Sequence, residues 1–374
     1  MKKTKQYIGE VKESELDNSA LIVNEGVEQP PQINPNLKNL FKSKKQLSIN
    51  EYIDGILDGN INILSQAITL IESTLIEHQK IGEQIVERCL KHSGKSIRIG
   101  ITGVPGVGKS SFIEILGTKI IETGNKLAVL AIDPSSEKSG GSILGDKTRM
   151  EKLSSSSQAF IRPSPSAGSL GGVARKTRET MILCEAAGFN TIFIETVGVG
   201  QSETSVHSMV DFFLLLMLSG AGDELQGIKR GIMEMSDAIA ITKADGENVV
   251  KSNIAKVQYQ NALHLFPPTE SKWTPKVVTC SSIDGTGIDK IWDIINNYIE
   301  ITSQNGFLER NRNRQSLYWM YETINNAVKE NFYSDKNIKN TILDVEKQIL
   351  GNMISSFQGA KILLEKYYLC KSIQ

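Results

Sequence analysis

One glycine-rich octapeptide has the composition and spacing of a phosphate-binding loop. It fits the pattern G-x-x-x-x-G-K-[ST], and its residues are Gly103, Val104, Pro105, Gly106, Val107, Gly108, Lys109 and Ser110. Glycines leave backbone N–H groups uncovered and allow the chain to curve around a polyphosphate. A lysine at this position can reach the β- and γ-phosphates, and the hydroxyl that follows it can coordinate Mg²⁺. We predict that the backbone from Gly103 to Ser111 binds nucleotide phosphates, with Lys109 stabilising their charge and Ser110 bound to Mg²⁺.

The residues on both sides of the loop predict the elements that must hold it. Ile97, Ile99 and Ile101 alternate with small or polar residues, which is typical of a strand. From Phe112 to Ile121, apolar residues recur at helical spacing. The loop therefore ends at a helix N-terminus, where backbone N–H groups and the helix dipole favour an anion.

Three carboxylates lie where a nucleotide site needs metal ligands. Asp133 ends the next predicted strand, and Asp146 lies in the glycine-rich segment that comes after it. Glu195 opens the sequence E-T-V-G, which has the form of the D-x-x-G motif of nucleotide switches, and Gly198 closes it. We predict that the three carboxylates complete the Mg²⁺ shell or orient the attacking water, and that the Gly198 N–H contacts the γ-phosphate. Whether Asp133 or Asp146 aligns the water stays open.

Two further strand ends predict recognition of a guanine base. The sequence T-K-A-D at residues 242–245 is similar to the guanine-reading motif N-K-x-D, with Thr242 in place of Asn. The Asp245 carboxylate can accept hydrogen bonds from guanine N1–H and N2–H₂, which adenine lacks, and the Lys243 stem can lie over the base. We therefore predict that the nucleotide is GTP or GDP. A loop after the last predicted strand has the position of the S-A-[KL] motif, and its predicted base contacts are Ser281, Ser282 and Ile283.

Strands and helices alternate between residues 96 and 303, and the strands are continuous apolar runs. This pattern predicts an α/β fold of the P-loop NTPase type, with a doubly wound, mostly parallel sheet whose ligands gather at the carboxyl ends of the strands. Residues 1–46 predict a flexible tail, and residues 47–95 a helical N-terminal extension that caps the nucleotide domain. Residues 304–374 predict a C-terminal helical extension.

Two amphipathic stripes predict how the C-terminal extension is used. One runs from Leu317 to Val328 and the other from Ile342 to Phe357. Because no strand is predicted beneath them, we expect these helices to pack against a second subunit and to form a homodimer. Three arginines precede the first stripe, and we expect them to be solvated and without a role: Arg310, Arg312 and Arg314.

The composition argues against several other classes of protein. Lys and Arg together number 42, as do Asp and Glu, so the net charge is zero. A general binder of nucleic acid or of anionic membranes would need a basic excess. The longest apolar run, Phe212–Leu218, is far shorter than the ~20 residues that span a bilayer. The N-terminus lacks the features of a targeting segment, so we expect a cytoplasmic protein. The scattered cysteines and histidines disfavour disulfides and a transition-metal site.

Together these motifs give the sequence a specific resemblance. It resembles the MeaB/ArgK family of P-loop GTPases, the bacterial relatives of the human methylmalonic aciduria type A protein. The most specific motifs are E-T-V-G-V-G-Q-S-E and G-G-S-I-L-G-D-K-T-R-M. The segments that carry the resemblance are 103–111, 133–136, 140–150, 195–203, 222–235 and 242–246.

The resemblance implies a GTPase that binds an adenosylcobalamin-dependent acyl-CoA mutase, usually methylmalonyl-CoA mutase. Such proteins use GTP to gate cofactor delivery and to protect or reactivate the enzyme, and they are homodimers joined through C-terminal helices. The resemblance also implies that segment 222–235 is an additional switch that responds to the partner. We expect slow intrinsic hydrolysis that the partner accelerates.

Other functions share the phosphate-binding loop. A metallochaperone GTPase for nickel enzymes would need a histidine-rich or paired-cysteine segment, and the sequence has neither. A P-loop kinase would leave the T-K-A-D motif and the glycine-rich segment after Asp133 without a role. A nucleotide-binding scaffold without turnover is a third alternative. Hydrolysis of GTP and of ATP, with and without a mutase, separates these functions.

Overall fold

A seven-stranded sheet is the framework on which the predicted nucleotide contacts lie. The computed structural model describes residues 47–132, 150–163, 170–196, 202–220 and 230–371. The strands are β1 Ile97–Gly103, β2 Leu127–Ile132, β3 Ala159–Arg162, β4 Thr191–Thr196, β5 Phe212–Leu218, β6 Ala238–Thr242 and β7 Lys276–Thr279. Their order in the sheet is β3-β2-β4-β1-β5-β6-β7, and each pair of neighbours is parallel. The predicted α/β fold with a parallel, doubly wound sheet is confirmed.

Helices cover the sheet and extend the chain at both ends. In the described residues they are α1 Ile49–Leu57, α2 Ile61–Glu72, α3 Ile76–Cys89, α4 Lys109–Glu122, α5 Glu151–Ser155, α6 Leu170–Ala186, α7 Ser202–His207, α8 Arg230–Met235, α9 Asn248–Leu263, α10 Ile288–Gln304, α11 Phe307–Ser334, α12 Lys336–Leu350 and α13 Ser356–Lys371. Within this described part, no helix combines the length and the apolar character needed to cross a bilayer.

Both faces of the sheet are buried, as the continuous apolar runs predict. On β5, Leu216 packs in one apolar cluster with Phe112 of α4 and Ile291 of α10. Its neighbour Leu215 points to the opposite face and packs with Tyr259 of α9. Alternate strand residues therefore pack into two separate apolar cores, one on each face of the sheet. Burial of each such side chain contributes about 1.5–3 kcal/mol to the stability of the fold. The carboxyl edge of the sheet stays available for ligands.

Local backbone and capping features set the ends of the N-terminal helices. A capping box opens α1, because the Ser48 hydroxyl accepts a hydrogen bond from the Glu51 N–H (3.3 Å) while Glu51 accepts one from the Ser48 N–H (2.7 Å). Ser73 adopts an extended conformation between α2 and α3, so the segment that follows α1 forms two helices. The predicted tail lies outside the described residues, and the domain limits at 95 and 303 stay predictions.

The C-terminal extension has three helices in its described part. The predicted stripe from Leu317 to Val328 lies on α11. The stripe predicted from 342 to 357 is wrong as a single helix, because it crosses the end of α12 and the start of α13. Asn352 has a φ of +54°, and its N–H donates to the carbonyl of Ile349 (3.0 Å). This left-handed turn ends α12, a conformation that asparagine tolerates better than most residues.

Arg312 is not solvated, and the expectation that it has no role is wrong. Its Nε and Nη2 donate to the two carboxylate oxygens of Asp211 (2.8 and 2.6 Å), whose side chain is fully buried. Its guanidinium also donates to the carbonyl oxygens of Gly94 (2.5 Å) and Ser96 (2.6 Å). One side chain on α11 therefore fixes this helix to the segments that lead into β1 and β5. A helical periodicity cannot reveal such a partner, because Asp211 is distant in sequence.

Candidate functional site

The phosphate-binding loop joins the carboxyl end of β1 to the first turn of α4. Gly108 stands directly before the helix with φ +93°, a conformation that glycine adopts without steric cost. A Cβ on Gly103 would lie 2.5 Å from the carbonyl oxygen of Leu216, so the loop can begin this close to β5 only with glycine. No side chain caps the first turn of α4. Its N–H groups therefore face the loop as donors for an anion.

The Lys109 ammonium lies inside this loop. Its Nζ donates to the carbonyl oxygens of Gly103 (2.9 Å) and Val104 (3.3 Å). Desolvation by burial lowers the pKa of Lys109, and the carboxylates of Glu195 and Glu203 oppose that shift. The two carboxylates thus favour the charged ammonium, which is the form that can stabilise phosphate oxygens.

Two of the predicted metal ligands are neighbours in space. The Ser110 hydroxyl donates to Oε1 of Glu195 at 3.3 Å. Glu195 is on β4, where it is paired with Ile101 of β1, so strand pairing brings the carboxylate to the start of α4. A hydroxyl and a carboxylate are the hard oxygen donors that Mg²⁺ prefers, and this cation usually keeps several waters. The described residues therefore fit Mg²⁺, although they hold no cluster of three His, Cys, Asp or Glu side chains arranged as a metal site.

Thr242, which stands where the guanine-reading motif has Asn, connects the base side of the site to the phosphate side. It is the last residue of β6 and is buried. Its hydroxyl donates to the carbonyl oxygen of Val107 at 2.8 Å, with the Met217 carbonyl a second acceptor at 3.3 Å. Threonine at this position therefore supports the backbone of the phosphate-binding loop directly.

The two predicted base-reading loops are in contact. The Ser281 hydroxyl donates to Oδ2 of Asp245 at 2.6 Å, and the Ala244 N–H donates to the carbonyl oxygen of Cys280 at 3.1 Å. Lys243 has a φ of +55°, so the chain reverses at the predicted base contact. The serine hydroxyl fixes one carboxylate oxygen of Asp245, which orients this side chain for a ligand with two donors.

The structure therefore brings together most of the predicted contacts at the carboxyl edge of the sheet. They come from the ends of β1, β4, β6 and β7. Among the loop residues, Val107 is buried and Ile283 is highly exposed. Three predicted contacts lie outside the described residues: Asp133, Asp146 and Gly198.

One buried acidic residue received no role from the sequence. Glu203 lies in the first turn of α7 and is 1 % exposed. Its Oε1 accepts a hydrogen bond from the Thr102 hydroxyl at 3.5 Å, and the Thr196 hydroxyl donates to Thr102 at 2.8 Å. In the sequence, Glu203 is visible only as a carboxylate that follows the E-T-V-G motif. Its burial depends on how α7 packs, which the sequence does not show.

Comparison with known proteins agrees with this geometry. The family model described as "Methylmalonyl Co-A mutase-associated GTPase MeaB" matches residues 64–337. A "Putative GTPase" of Caulobacter vibrioides is 45 % identical over 323 residues, which cover 86 % of this chain and 99 % of the relative. A mitochondrial "Methylmalonic aciduria type A homolog" of Mus musculus is 41 % identical over 337 residues, with 87 % and 81 % covered.

Among solved structures, one titled "LAO/AO transport system kinase" has a TM-score of 0.70 and 35 % sequence identity. The match covers 86 % of this chain and 97 % of that one. The resemblance drawn from the motifs is thus confirmed by sequence and by fold. The chain belongs to the MeaB family of P-loop GTPases.

Proposed function

We propose that this GTPase is a switch for an adenosylcobalamin-dependent acyl-CoA mutase, with methylmalonyl-CoA mutase as the partner. It gates loading of the cofactor and protects or reactivates the enzyme. The observation that carries the proposal is the family match over residues 64–337, whose description names this mutase. Three cysteines are free and buried, which is usual in a reducing compartment: Cys89, Cys184 and Cys280. We propose that the encounter takes place in the cytoplasm.

GTP binding at the carboxyl edge uses the loop backbone and one ammonium. The N–H groups of the loop and of the first turn of α4 hold the phosphates, and Lys109 leaves its carbonyl partners to contact the β- and γ-phosphate oxygens. Ser110 and Glu195, together with Asp133 and Asp146, would hold Mg²⁺ or its waters. When bound, this cation neutralises charge that develops on the phosphate oxygens.

Hydrolysis then requires little covalent chemistry from the protein. A water attacks the γ-phosphorus, the bond to the β–γ bridging oxygen breaks, and GDP and phosphate leave. Asp133 or Asp146 aligns this water, and the Gly198 N–H contacts the γ-phosphate. These groups follow β2 and β4 in the sequence. The segments after these strands therefore respond to whether GTP or GDP is bound.

Guanine selectivity follows from the carboxylate of Asp245. It accepts hydrogen bonds from N1–H and N2–H₂ of the base, while the Lys243 stem covers one face of the ring. The Ser281 hydroxyl, 2.6 Å from Oδ2, holds the carboxylate in position. The backbone of Ser281, Ser282 and Ile283 completes the edge of the base site.

A homodimer formed through the C-terminal helices gives the switch a second subunit. Four large apolar side chains on one face of α11 are at least half exposed in the single chain, and they follow helical spacing. They are Leu317, Tyr321, Ile324 and Val328. A second copy of the chain, packed on this face, would remove these side chains from water.

Turnover measured with and without the partner tests the proposed function. We expect slow hydrolysis of GTP by the isolated chain and an increase of about tenfold or more when apo-methylmalonyl-CoA mutase is added, because partner proteins complete many GTPase sites. ATP should not be hydrolysed at a comparable rate. The Lys109→Ala variant, as control, should be inactive in both mixtures.

The same assay identifies the alternatives. Equal turnover of GTP and ATP with no response to the mutase would indicate a kinase or a general ATPase. GTP turnover that responds to nickel but not to the mutase would indicate a metallochaperone. Transfer of adenosylcobalamin to the mutase can be measured through the visible absorption of the cofactor, and it should occur only when GTP is present.

A further inference from the structure

We propose that a cavity at the amino edge of the sheet binds a small organic anion with a carboxylate or phosphate head and a short apolar tail. The cavity has a volume of about 380 Å³, within the range of cavities that hold small ligands. It lies between the segment that leads into β1, helix α6 and helix α11. The wall of this amino-edge cavity includes three arginines and three apolar side chains: Arg98, Arg178, Arg312, Met181, Ile182 and Leu308.

The amino-edge cavity is separate from the nucleotide site. Arg98 is the second residue of β1, whereas Gly103, where the phosphate-binding loop begins, is the last residue of the same strand. Five residues of extended chain span roughly 16 Å. A ligand in this cavity would therefore bind at the opposite edge of the sheet, and the inference does not depend on the proposed mutase partner.

The charge of Arg98 is neutralised within the fold. Its Nε and Nη2 donate to the two carboxylate oxygens of Glu185 (2.9 and 3.1 Å). Glu185 is buried and also accepts hydrogen bonds from the Gly94 N–H (2.7 Å) and the Ser96 hydroxyl (2.5 Å). Each oxygen of this carboxylate thus has two donors already, which leaves no acceptor position for a second guanidinium.

Arg312 is likewise paired with Asp211, whereas Arg178 has no such partner. Nη1 of Arg178 donates to the carbonyl oxygen of Gln315 (3.1 Å), and Nη2 donates to the Ser316 hydroxyl (2.9 Å). Both acceptors are neutral. Since a guanidinium has five N–H groups and two are used, three remain. Among the carboxylates that the structure describes, none lies within ion-pair distance of Arg178.

The surroundings of Arg178 make an anion beside it favourable. Desolvation lowers the pKa of Arg178 to about 10, and the charge of Arg98 acts in the same direction, while Glu185 opposes the shift. The guanidinium is nevertheless charged at pH 7. A desolvated charge is unfavourable unless an ion of opposite sign lies next to it. An oxyanion in the cavity would supply that charge and accept two parallel N–H hydrogen bonds from the guanidinium.

The rest of the wall favours an anion that has an apolar part and few charges. Met181 and Ile182 follow Arg178 on α6, and Leu308 belongs to the first turn of α11. Glu309 also lines the cavity, and its side chain is exposed. Because this carboxylate repels negative charge, a polyphosphate would be disfavoured. A single carboxylate or phosphate head with a short alkyl tail therefore suits the cavity better.

Calorimetry on the full chain, with GDP and Mg²⁺ already bound, tests the amino-edge cavity. GDP keeps phosphate probes out of the phosphate-binding loop. The probes are acetate, butyrate, inorganic phosphate and butyl phosphate, with chloride added to match ionic strength. We expect saturable binding of butyrate or butyl phosphate, and each methylene buried in the cavity should strengthen affinity about threefold. The head that binds more tightly distinguishes a carboxylate ligand from a phosphate ligand.

Arg178→Met is the decisive variant, and Arg175→Met is the matched control. Arg175 lies one turn earlier on α6, but it pairs with Glu83 and Glu179. Arg178→Met should weaken binding of the preferred probe at least tenfold, because charge-assisted hydrogen bonds are lost. Arg175→Met should bind like the wild type.

Arg178→Lys covers the case in which Arg178→Met does not fold. It retains the charge but lacks the planar fork of donors, so it should bind the preferred probe several times more weakly than the wild type. The proposal is overturned if neither butyrate nor butyl phosphate binds the wild-type chain saturably, or if acetate binds as tightly as butyrate. It is also overturned if the folded Arg178 variants retain the wild-type affinity.

Discussion

Replacing Arg312 by methionine tests how α11 is held on the GTPase sheet. The substitution keeps an apolar stem of similar size and removes five N–H donors. Asp211, whose side chain is fully buried, would keep the hydrogen bond from the Arg98 N–H (2.9 Å) but lose its counter-charge. Breaking a buried ion pair on one side costs about 3–5 kcal/mol. Because the Arg312 side chain is 20 % exposed, we expect the lower end of that range, about 3 kcal/mol.

Urea unfolding followed by circular dichroism measures this loss directly. Arg314→Met is the control, since Arg314 pairs with Glu270 at the surface, and its effect should lie within experimental error. Adding Asp211→Asn to Arg312→Met should restore part of the stability, because it removes the uncompensated charge. The reasoning is refuted if Arg312→Met is as stable as Arg314→Met, or if the double variant is less stable than Arg312→Met alone.

Three further predictions concern pH, the nucleotide loop and the proposed homodimer. Burial raises the pKa of Asp237 from 3.8 to about 7, so between these values the folded state keeps a proton that the unfolded chain has released. The free energy of unfolding should therefore fall as the pH rises from about 4 to about 7. In urea titrations, Asp237→Asn should remove this pH dependence. Thr242→Val removes the donor to the Val107 carbonyl and should weaken GDP binding about fivefold in calorimetry, or about 1 kcal/mol, whereas Thr242→Ser should bind normally. Ile324→Glu should convert a dimer to a monomer in light scattering, while Asn325→Glu, with the same added charge on a neighbouring position, should not.

The strands and the nucleotide motifs were predictable from the sequence because their signals are local. The run Phe212–Leu218 is buried on both faces of the sheet. Its seven consecutive apolar residues predict this burial without any knowledge of the neighbouring strands. The phosphate-binding loop likewise depends on glycines at fixed spacing within eight residues. For the same reason, the strand predicted from the alternation of Ile97, Ile99 and Ile101 is found as β1 Ile97–Gly103.

Most of what the sequence did not reveal concerns contacts between distant parts of the chain. The sequence predicts Arg312 to be one of three solvated arginines, whereas in the fold it forms an ion pair with Asp211. Glu203 is polar in a polar segment, and only the packing of α7 buries it. The break between α12 and α13 depends on a left-handed turn at Asn352, which an apolar stripe with helical spacing does not reveal. Distant partners decide the first two of these, whereas the break follows from the local turn at Asn352.

The affinity of the Asp245→Asn variant for guanine and xanthine nucleotides tests the central claim most directly. In the proposed site the carboxylate accepts from N1–H and N2–H₂ of guanine, whereas an asparagine amide would present an N–H₂ donor that suits the C2 carbonyl of xanthine. Hydrogen bonds to a charged group contribute about 1.5–3 kcal/mol each, so calorimetry should show guanine affinity falling about a hundredfold or more. The account predicts that the variant prefers the xanthosine triphosphate analogue. Wild-type affinity of Asp245→Asn for the guanosine analogue would contradict it.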